Sequence, residues 1–201
     1  MGCYTLTYDF EPTLFLEQEP TKKMDTPKWH VWSNPSTTLG EAGVIVLSGN
    51  GGNPLEDFAN SLFGGKVGSI RGNLKGPLNF VIDNEGAETN YDPTTKLGTA
   101  GKTVGNRQGI TVYMDPDVMG DFDRLYVFLA HELEHAFNIS NGSRGAWYNT
   151  YGPVLSSGLS EIYAYGVGAQ AANGLGLTYD FGQQSQHDQL TIQFLTGLYN
   201  K

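Results

Sequence analysis

The sequence predicts an α+β fold built from a small mixed or antiparallel sheet and several helices. Two short apolar runs, 78–82 and 109–114, are rich in β-branched residues and are typical of strands. Two longer stretches that follow, 125–137 and 158–172, are typical of helices. A closing stretch, 184–198, also has apolar residues at helical spacing. Strands that are followed by a run of helices indicate an α+β arrangement.

The chain begins with a polar, proline-rich segment over residues 1–40, which we expect to form an irregular arm because proline prevents any long helix. We expect one globular domain over 41–201. A chain of 201 residues with 39% hydrophobic content can bury one good core. The prolines that interrupt the arm are Pro12, Pro20, Pro27 and Pro35.

Within the domain, 44–47 is a candidate buried strand, and Asn53 followed by Pro54 and Glu56 predicts a helix over about 54–63. Residues 84–107 are rich in Gly, Thr and Asn, so we expect a loop or a hairpin there.

The strand at 109–114 ends directly before the helix at 125–137. We expect this strand to lie at the edge of the sheet beside a cleft. An extended peptide can join such an edge as a further strand, through main-chain hydrogen bonds.

Composition excludes several classes of partner. The formal charge is −9, from 21 acidic and 12 basic residues, and a phosphate backbone requires clustered basic residues, so we expect no nucleic-acid partner. Cys3 is the sole cysteine, so no internal disulfide can form. No apolar run approaches the roughly 20 residues that span a bilayer, and the N-terminus lacks a classical secretory signal. We therefore expect no transmembrane segment.

The most informative motif is His131-Glu132-x-x-His135, inside the helix predicted over 125–137. Residues four apart share a helix face, so both imidazoles can bind one zinc ion while Glu132 approaches the metal-bound water. Leu125, Leu129 and other apolar residues form a stripe that would bury the same helix. The motif predicts the active core of a zinc metallopeptidase.

A catalytic zinc needs three protein ligands, and the third ordinarily comes from another element. We favour Glu161, on the helix predicted over 158–172. The competing explanation is that the helix dipole alone favours an acid near the start of a helix, in which case Glu161 has no further role. Asp180 and His187 remain alternatives. The extended metzincin motif fails, because its third histidine would fall at Asn141.

With these ligands, Glu132 is the expected general base and general acid, and the tetrahedral oxyanion needs one further hydrogen-bond donor. Tyr165 lies one helical turn beyond Glu161 and is the candidate we favour, with core packing as the competing explanation. Weaker candidates for the same role are His187, Tyr148, Tyr151 and Arg144.

The stretch 98–165 resembles the bacterial effector metallopeptidases typified by NleD. Similar domains are also found at the ends of some polymorphic toxins. The resemblance rests on the Gly-Thr-rich loop, the strand ending in Tyr113-Met-Asp-Pro116, the helix with Leu129-Ala-His-Glu-Leu-Glu-His-Ala136, and the later helix with Glu161. It implies a zincin-like fold of the gluzincin type, endopeptidase activity, secretion without a classical signal peptide and delivery into a host or competitor cell. If it is not delivered in this way, we expect the protein to be cytoplasmic.

This chain departs from that family at two places. Position 134 is Glu, where an apolar residue is expected, and the arm over 1–40 matches no part of the family. Two other classes of function stay open, a catalytically silent zinc-containing binding domain and a zinc amidase that acts on a non-protein amide such as peptidoglycan.

Overall fold

The computed structural model describes residues 53–83 and 99–199. The expected arm over 1–40 and the candidate strand at 44–47 lie outside these residues, as does most of the stretch between the predicted strands. The described elements are helix α1 (Pro54–Asn73), strands β1 (Leu78–Ile82), β2 (Gly101–Asn106) and β3 (Gly109–Met114), a short 3-10 helix (Pro116–Val118), and helices α2 (Phe122–Ser140), α3 (Ser143–Gly174) and α4 (Gln183–Tyr199).

The described part of the chain is therefore α+β, with four helices and one mixed sheet of three strands, as the sequence predicts. Both predicted strands have the predicted bounds. The order in the sheet is β1-β3-β2, with β1 parallel and β2 antiparallel to β3.

The prediction that the strand at 109–114 lies at the edge is wrong, because β3 is the central strand. The Gly-Thr-rich segment before it supplies β2, which pairs with β3 as a hairpin around Arg107 and Gln108 and takes the outer position. β2 contains few apolar residues and none of its six residues is buried, whereas Ile110, Val112 and Met114 of β3 are buried.

Helix α1 begins at the predicted place, where the Asn53 side chain accepts hydrogen bonds from the backbone N–H groups of Leu55 and Glu56. The predicted end near 63 coincides with a break in the helix at Phe63, whose φ and ψ are −124° and 25°. The helix resumes and continues to Asn73, because its second half also buries apolar side chains.

Helix α2 is the centre of the fold, packed on α1, β2 and α3. Its start is capped by Asp121, whose side chain accepts a hydrogen bond from the backbone N–H of Arg124. Because it is covered on several sides, α2 provides a rigid support for the residues of its motif. Core residues that surround it or belong to it include Leu55, Phe58, Val67, Ile70, Ile110, Val112, Met114, Leu125, Leu129, Leu133 and Ala136.

The unexpected glutamate at position 134 has a partner on α1. Its carboxylate forms a buried ion pair with Lys66 and also accepts a hydrogen bond of 2.9 Å from Asn138 Nδ2. Burial lowers the pKa of Lys66, although the adjacent Glu134 acts to raise it. Glu134 therefore joins α1 to α2 and does not line the cleft described below.

Helix α3 is longer than predicted and is interrupted at Gly152, whose φ is +80°, directly before Pro153. Helix α4 closes the fold at the predicted place and packs on α3. It is less buried than an amphipathic helix on a core would be, since Phe194 is buried but Ile192 is 66% exposed. Among the described residues, no helix combines the length and apolar character that a membrane span requires.

Candidate metal centre

Helix α2 places the two histidines of the motif one turn apart on the same side. Their Nε2 atoms lie 3.1 Å apart, and their ring planes are inclined by 74°. Both rings therefore direct the same nitrogen to one point, as residues four apart on a helix can do.

Glu161 reaches the same point from the second half of α3. Its Oε1 lies 3.4 Å from Nε2 of His135, and its Oε2 lies 3.6 Å from Nε2 of His131. The structure thus brings together the three residues predicted to bind the metal, and the cluster could hold a metal ion.

The two alternative ligands lie elsewhere. The Asp180 carboxylate accepts hydrogen bonds from the backbone N–H groups of Gly182 and Gln184, at 3.1 and 2.8 Å, and so caps the start of α4. The Nδ1 of His187 lies 3.0 Å from Oδ1 of the adjacent Asp188, within hydrogen-bond distance. Neither residue belongs to the cluster that the structure describes.

The spacing of the donor atoms fits a four-coordinate ion. In a tetrahedral site with metal–ligand distances of about 2.0–2.1 Å, neighbouring ligand atoms are about 3.4 Å apart. In the cluster the two Nε2 atoms are 3.1 Å apart, and each Glu161 oxygen is 3.4 or 3.6 Å from its nearer imidazole nitrogen. With one ligand atom taken from each residue, the three atoms lie within 4.8 Å of one another, which is compact enough for the three side chains to hold one ion.

The second nitrogen of each imidazole is also held. The Nδ1 of His131 lies 3.2 Å from Oε1 of Gln183, and the Nδ1 of His135 lies 3.0 Å from Oγ of Ser160. When each Nδ1–H donates to its oxygen, Nε2 keeps the lone pair that binds a metal.

Sequence reasoning missed both of these partners. The sequence predicted this helix only from residue 158, but α3 already begins at Ser143, and Ser160 is buried inside it. Gln183 had no recognisable signal, because its contact with His131 joins residues far apart in the chain.

The pKa values in the cluster follow from the close approach of carboxylates and imidazoles. Burial acts to lower the pKa of His135, but the hydrogen bond to Glu161 and the nearby carboxylates outweigh burial, so this pKa is raised. Burial acts to raise the pKa of Glu161, but its hydrogen bonds to both histidines outweigh burial and hold this pKa well below its ordinary value. Protons and a metal ion therefore compete for the same atoms.

Glu132 is buried and faces β2. Its Oε2 accepts a hydrogen bond of 2.8 Å from Oγ1 of Thr103, on the edge strand. Gly101 leaves room for it, since a Cβ at that position would lie 2.9 Å from Cγ of Glu132. Glu132 therefore lies beside the cluster without being part of it.

Tyr165 packs edge-on against His131, with ring centroids 4.6 Å apart. Burial, together with the charges of Glu161 and Glu132, raises the pKa of Tyr165, so its hydroxyl keeps its proton at neutral pH. Of the weaker candidates for the same role, Arg144 lines the cleft, whereas Tyr148, Tyr151 and His187 do not.

The cluster opens into a cleft of about 590 Å³. Its aromatic wall is Phe128 and Phe181, whose rings meet edge to face with centroids 5.9 Å apart. Phe181 has a φ of +55°, which is uncommon for a residue other than glycine. The other lining residues are Thr99, Ala100, Gly101, Lys102, Thr103, His131, Glu132, His135, Arg144, Ser157, Ser160, Glu161, Tyr165, Gln183 and Gln186.

Comparisons with protein-family models, with curated proteins and with solved structures find no match to this chain. The assignment of a function therefore depends on the chemistry of the cleft.

Proposed function

We propose that this protein is a zinc-dependent metalloendopeptidase. One observation carries the proposal. Two imidazoles and one carboxylate converge on a point in a cleft, and a second carboxylate, Glu132, lies beside them.

The donor set favours zinc over the hard cations. Magnesium and calcium prefer oxygen ligands, whereas two imidazoles and a carboxylate are a common catalytic zinc set. His131, His135 and Glu161 would hold the ion. Bound zinc supplies Lewis acidity and lowers the pKa of a coordinated water to about 7.

In this proposal Glu132 moves the proton. It follows His131 directly in the helix, yet it is not needed to bind the metal, so its carboxylate is available to take a proton from the attacking water. The same carboxylate then gives a proton to the leaving amine. Tyr165 would donate its hydroxyl hydrogen bond to the oxygen on which negative charge develops.

The proposed substrate is a polypeptide bound in extended form. Within the described residues, β2 has a strand neighbour on one side only, and Thr99 to Thr103 line the cleft. An extended segment can add to such an edge by β-augmentation, which brings its peptide bonds along the cleft. This replaces β3, the strand that the sequence indicated for this role.

The cellular setting that we propose comes from the resemblance to effector metallopeptidases. The protein would be secreted without a classical signal peptide and would cleave proteins inside a host or competitor cell.

The test is cleavage of a mixture of peptides of defined sequence, analysed by mass spectrometry, with wild type, Glu132→Gln and chelator-treated wild type. We expect cleavage at internal bonds by the wild type only, with turnover of Glu132→Gln reduced by about 10²- to 10⁴-fold. Glu132→Gln keeps the shape of the side chain and should retain its metal.

Two outcomes would contradict the proposal. Cleavage of peptidoglycan fragments but not of peptides would favour a zinc amidase. Bound zinc without hydrolysis of either substrate would favour a silent binding domain.

A further inference from the structure

The edge strand and the proposed general base are joined by one side chain. Oγ1 of Thr103 lies 2.8 Å from Oε2 of Glu132 and 3.0 Å from the backbone oxygen of the same residue. A hydroxyl has one proton to donate, and a carboxylate is the stronger acceptor. The hydroxyl therefore holds one oxygen of Glu132 and leaves the other for a proton transfer.

Gly101 shapes the same position from two residues away. Alternate residues of a strand face the same side, so Gly101 and Thr103 both face α2. A Cβ at Gly101 would lie 2.9 Å from Cγ of Glu132 and 3.1 Å from the backbone oxygen of Tyr113. Space at 101 and a hydrogen-bond donor at 103 together determine where the Glu132 carboxylate lies.

The backbone of Thr103 faces the outer edge of β2, where the described part of the chain places no further strand. Asn106 and Gly109 flank the two-residue turn and form a hydrogen-bonded pair, after which hydrogen-bonded and non-hydrogen-bonded pairs alternate. The hydrogen bond of 2.8 Å from Asp115 N to Ala100 O agrees with this alternation. Thr103 is opposite Val112 in a non-hydrogen-bonded pair, so its own N–H and C=O point to the outer edge.

We propose that Thr103 is a positioning residue that links the two halves of the reaction. Its backbone pairs with the extended substrate, while its hydroxyl fixes the carboxylate of Glu132. This inference deepens the proposed function and rests on it. Pairing of a substrate at β2 would then hold Thr103 still, and with it the group that transfers the proton.

Two substitutions separate the hydroxyl from the methyl group. Thr103→Val keeps the shape and the strand preference but removes the donor, whereas Thr103→Ser keeps the donor and removes the methyl. We expect Thr103→Val to lower kcat by about 10- to 100-fold with little change in KM, as other supporting residues of metal sites do. Thr103→Ser should retain most of kcat.

Three further readouts accompany the kinetics. Zinc content and melting temperature should be the same in wild type, Thr103→Val and Thr103→Ser. Crystal structures should show the Glu132 carboxylate bound to residue 103 in the wild type and in Thr103→Ser, and displaced in Thr103→Val. The displacement does not depend on any peptidase activity.

The inference is overturned if Thr103→Val matches the wild type in kcat, or if Thr103→Ser is the slower variant, since packing would then explain the contact. An unmoved Glu132 in the Thr103→Val structure also overturns it. Failure of the proposed function has a different signature, because in that case the wild type itself cleaves no peptide.

Discussion

Replacing Gln183 with methionine should weaken metal binding without removing a ligand. Gln183 is buried, and its Oε1 lies 3.2 Å from Nδ1 of His131. Methionine has a similar volume but cannot accept the Nδ1–H hydrogen bond effectively. The imidazole of His131 cannot rotate or change tautomer while it binds the metal, whereas it can in the metal-free protein. Loss of the hydrogen bond to Gln183 therefore destabilises mainly the metal-bound state.

The magnitude follows from the cost of a buried donor left without a partner, which is about 1–3 kcal/mol. At about 1.4 kcal/mol per factor of ten, this weakens zinc affinity by roughly 5- to 150-fold. The range agrees with the 10- to 100-fold effects known for residues that support metal ligands.

The assay is competition for zinc against a chromophoric chelator of known affinity. Gln184→Met is the matched control, because Gln184 is the next residue in α4 and is exposed. This control should bind zinc as the wild type does. Wild-type affinity in Gln183→Met would refute the reasoning that the carboxamide orients His131.

Two further predictions concern stability. Lys66→Met should leave Glu134 buried without its ion-pair partner and lower the free energy of unfolding, measured by urea titration, by about 3–5 kcal/mol. The control Lys75→Met, at an exposed site, should have little effect, and equal stabilities of the two variants would mean that the ion pair contributes nothing. The pair of His135 and Glu161 should stabilise the metal-free protein by up to about 1 kcal/mol, because Glu161 is partly exposed. Because the pKa of His135 is raised, the stability that His135 contributes is complete below its ordinary pKa of 6.5 and is lost as the pH rises through the raised pKa. Because the pKa of Glu161 is lowered, the stability that Glu161 contributes is complete above its ordinary pKa of 4.5 and is lost as the pH falls through the lowered pKa. In chelator-treated protein this pair should therefore contribute fully to stability between about pH 4.5 and 6.5. Glu161→Gln should reduce the loss of stability that the protein shows between pH 6 and pH 8, and an unchanged loss would contradict this prediction.

The local features of the fold were predictable because their signals are local. The histidine spacing places His131 and His135 on one face of a helix whatever lies around it, and Asn53 with Pro54 marks a helix start through its own hydrogen bonds. The apolar content of β1 and β3 likewise allowed the first and last residues of both strands to be predicted correctly.

The order of the strands was not predictable from these signals. β2 contributes little apolar surface, so no pattern marked Gly101–Asn106 as a strand or placed it outside β3. These residues form a strand only because they pair with β3. For residues 84–107 the sequence predicted a loop or a hairpin, and the described part of that segment does form a hairpin with β3.

The supporting residues of the site depend on contacts between distant parts of the chain. Ser160 and Gln183 are polar residues without any local mark of their role, and the partner of Glu134 is on another helix. For Glu161, spacing indicated a candidate, but only the packing of α3 on α2 distinguishes it from Asp180 and His187.

The measurement that tests the central claim most directly is the metal content of purified protein by plasma mass spectrometry, after dialysis against a weak chelator. The variants are Glu161→Ala and, as a matched control outside the cluster, His187→Ala. We expect about one zinc per chain in the wild type and in His187→Ala, and a large loss in Glu161→Ala. No bound metal in the wild type after zinc is added back would contradict the account, and so would full, tight zinc binding in Glu161→Ala.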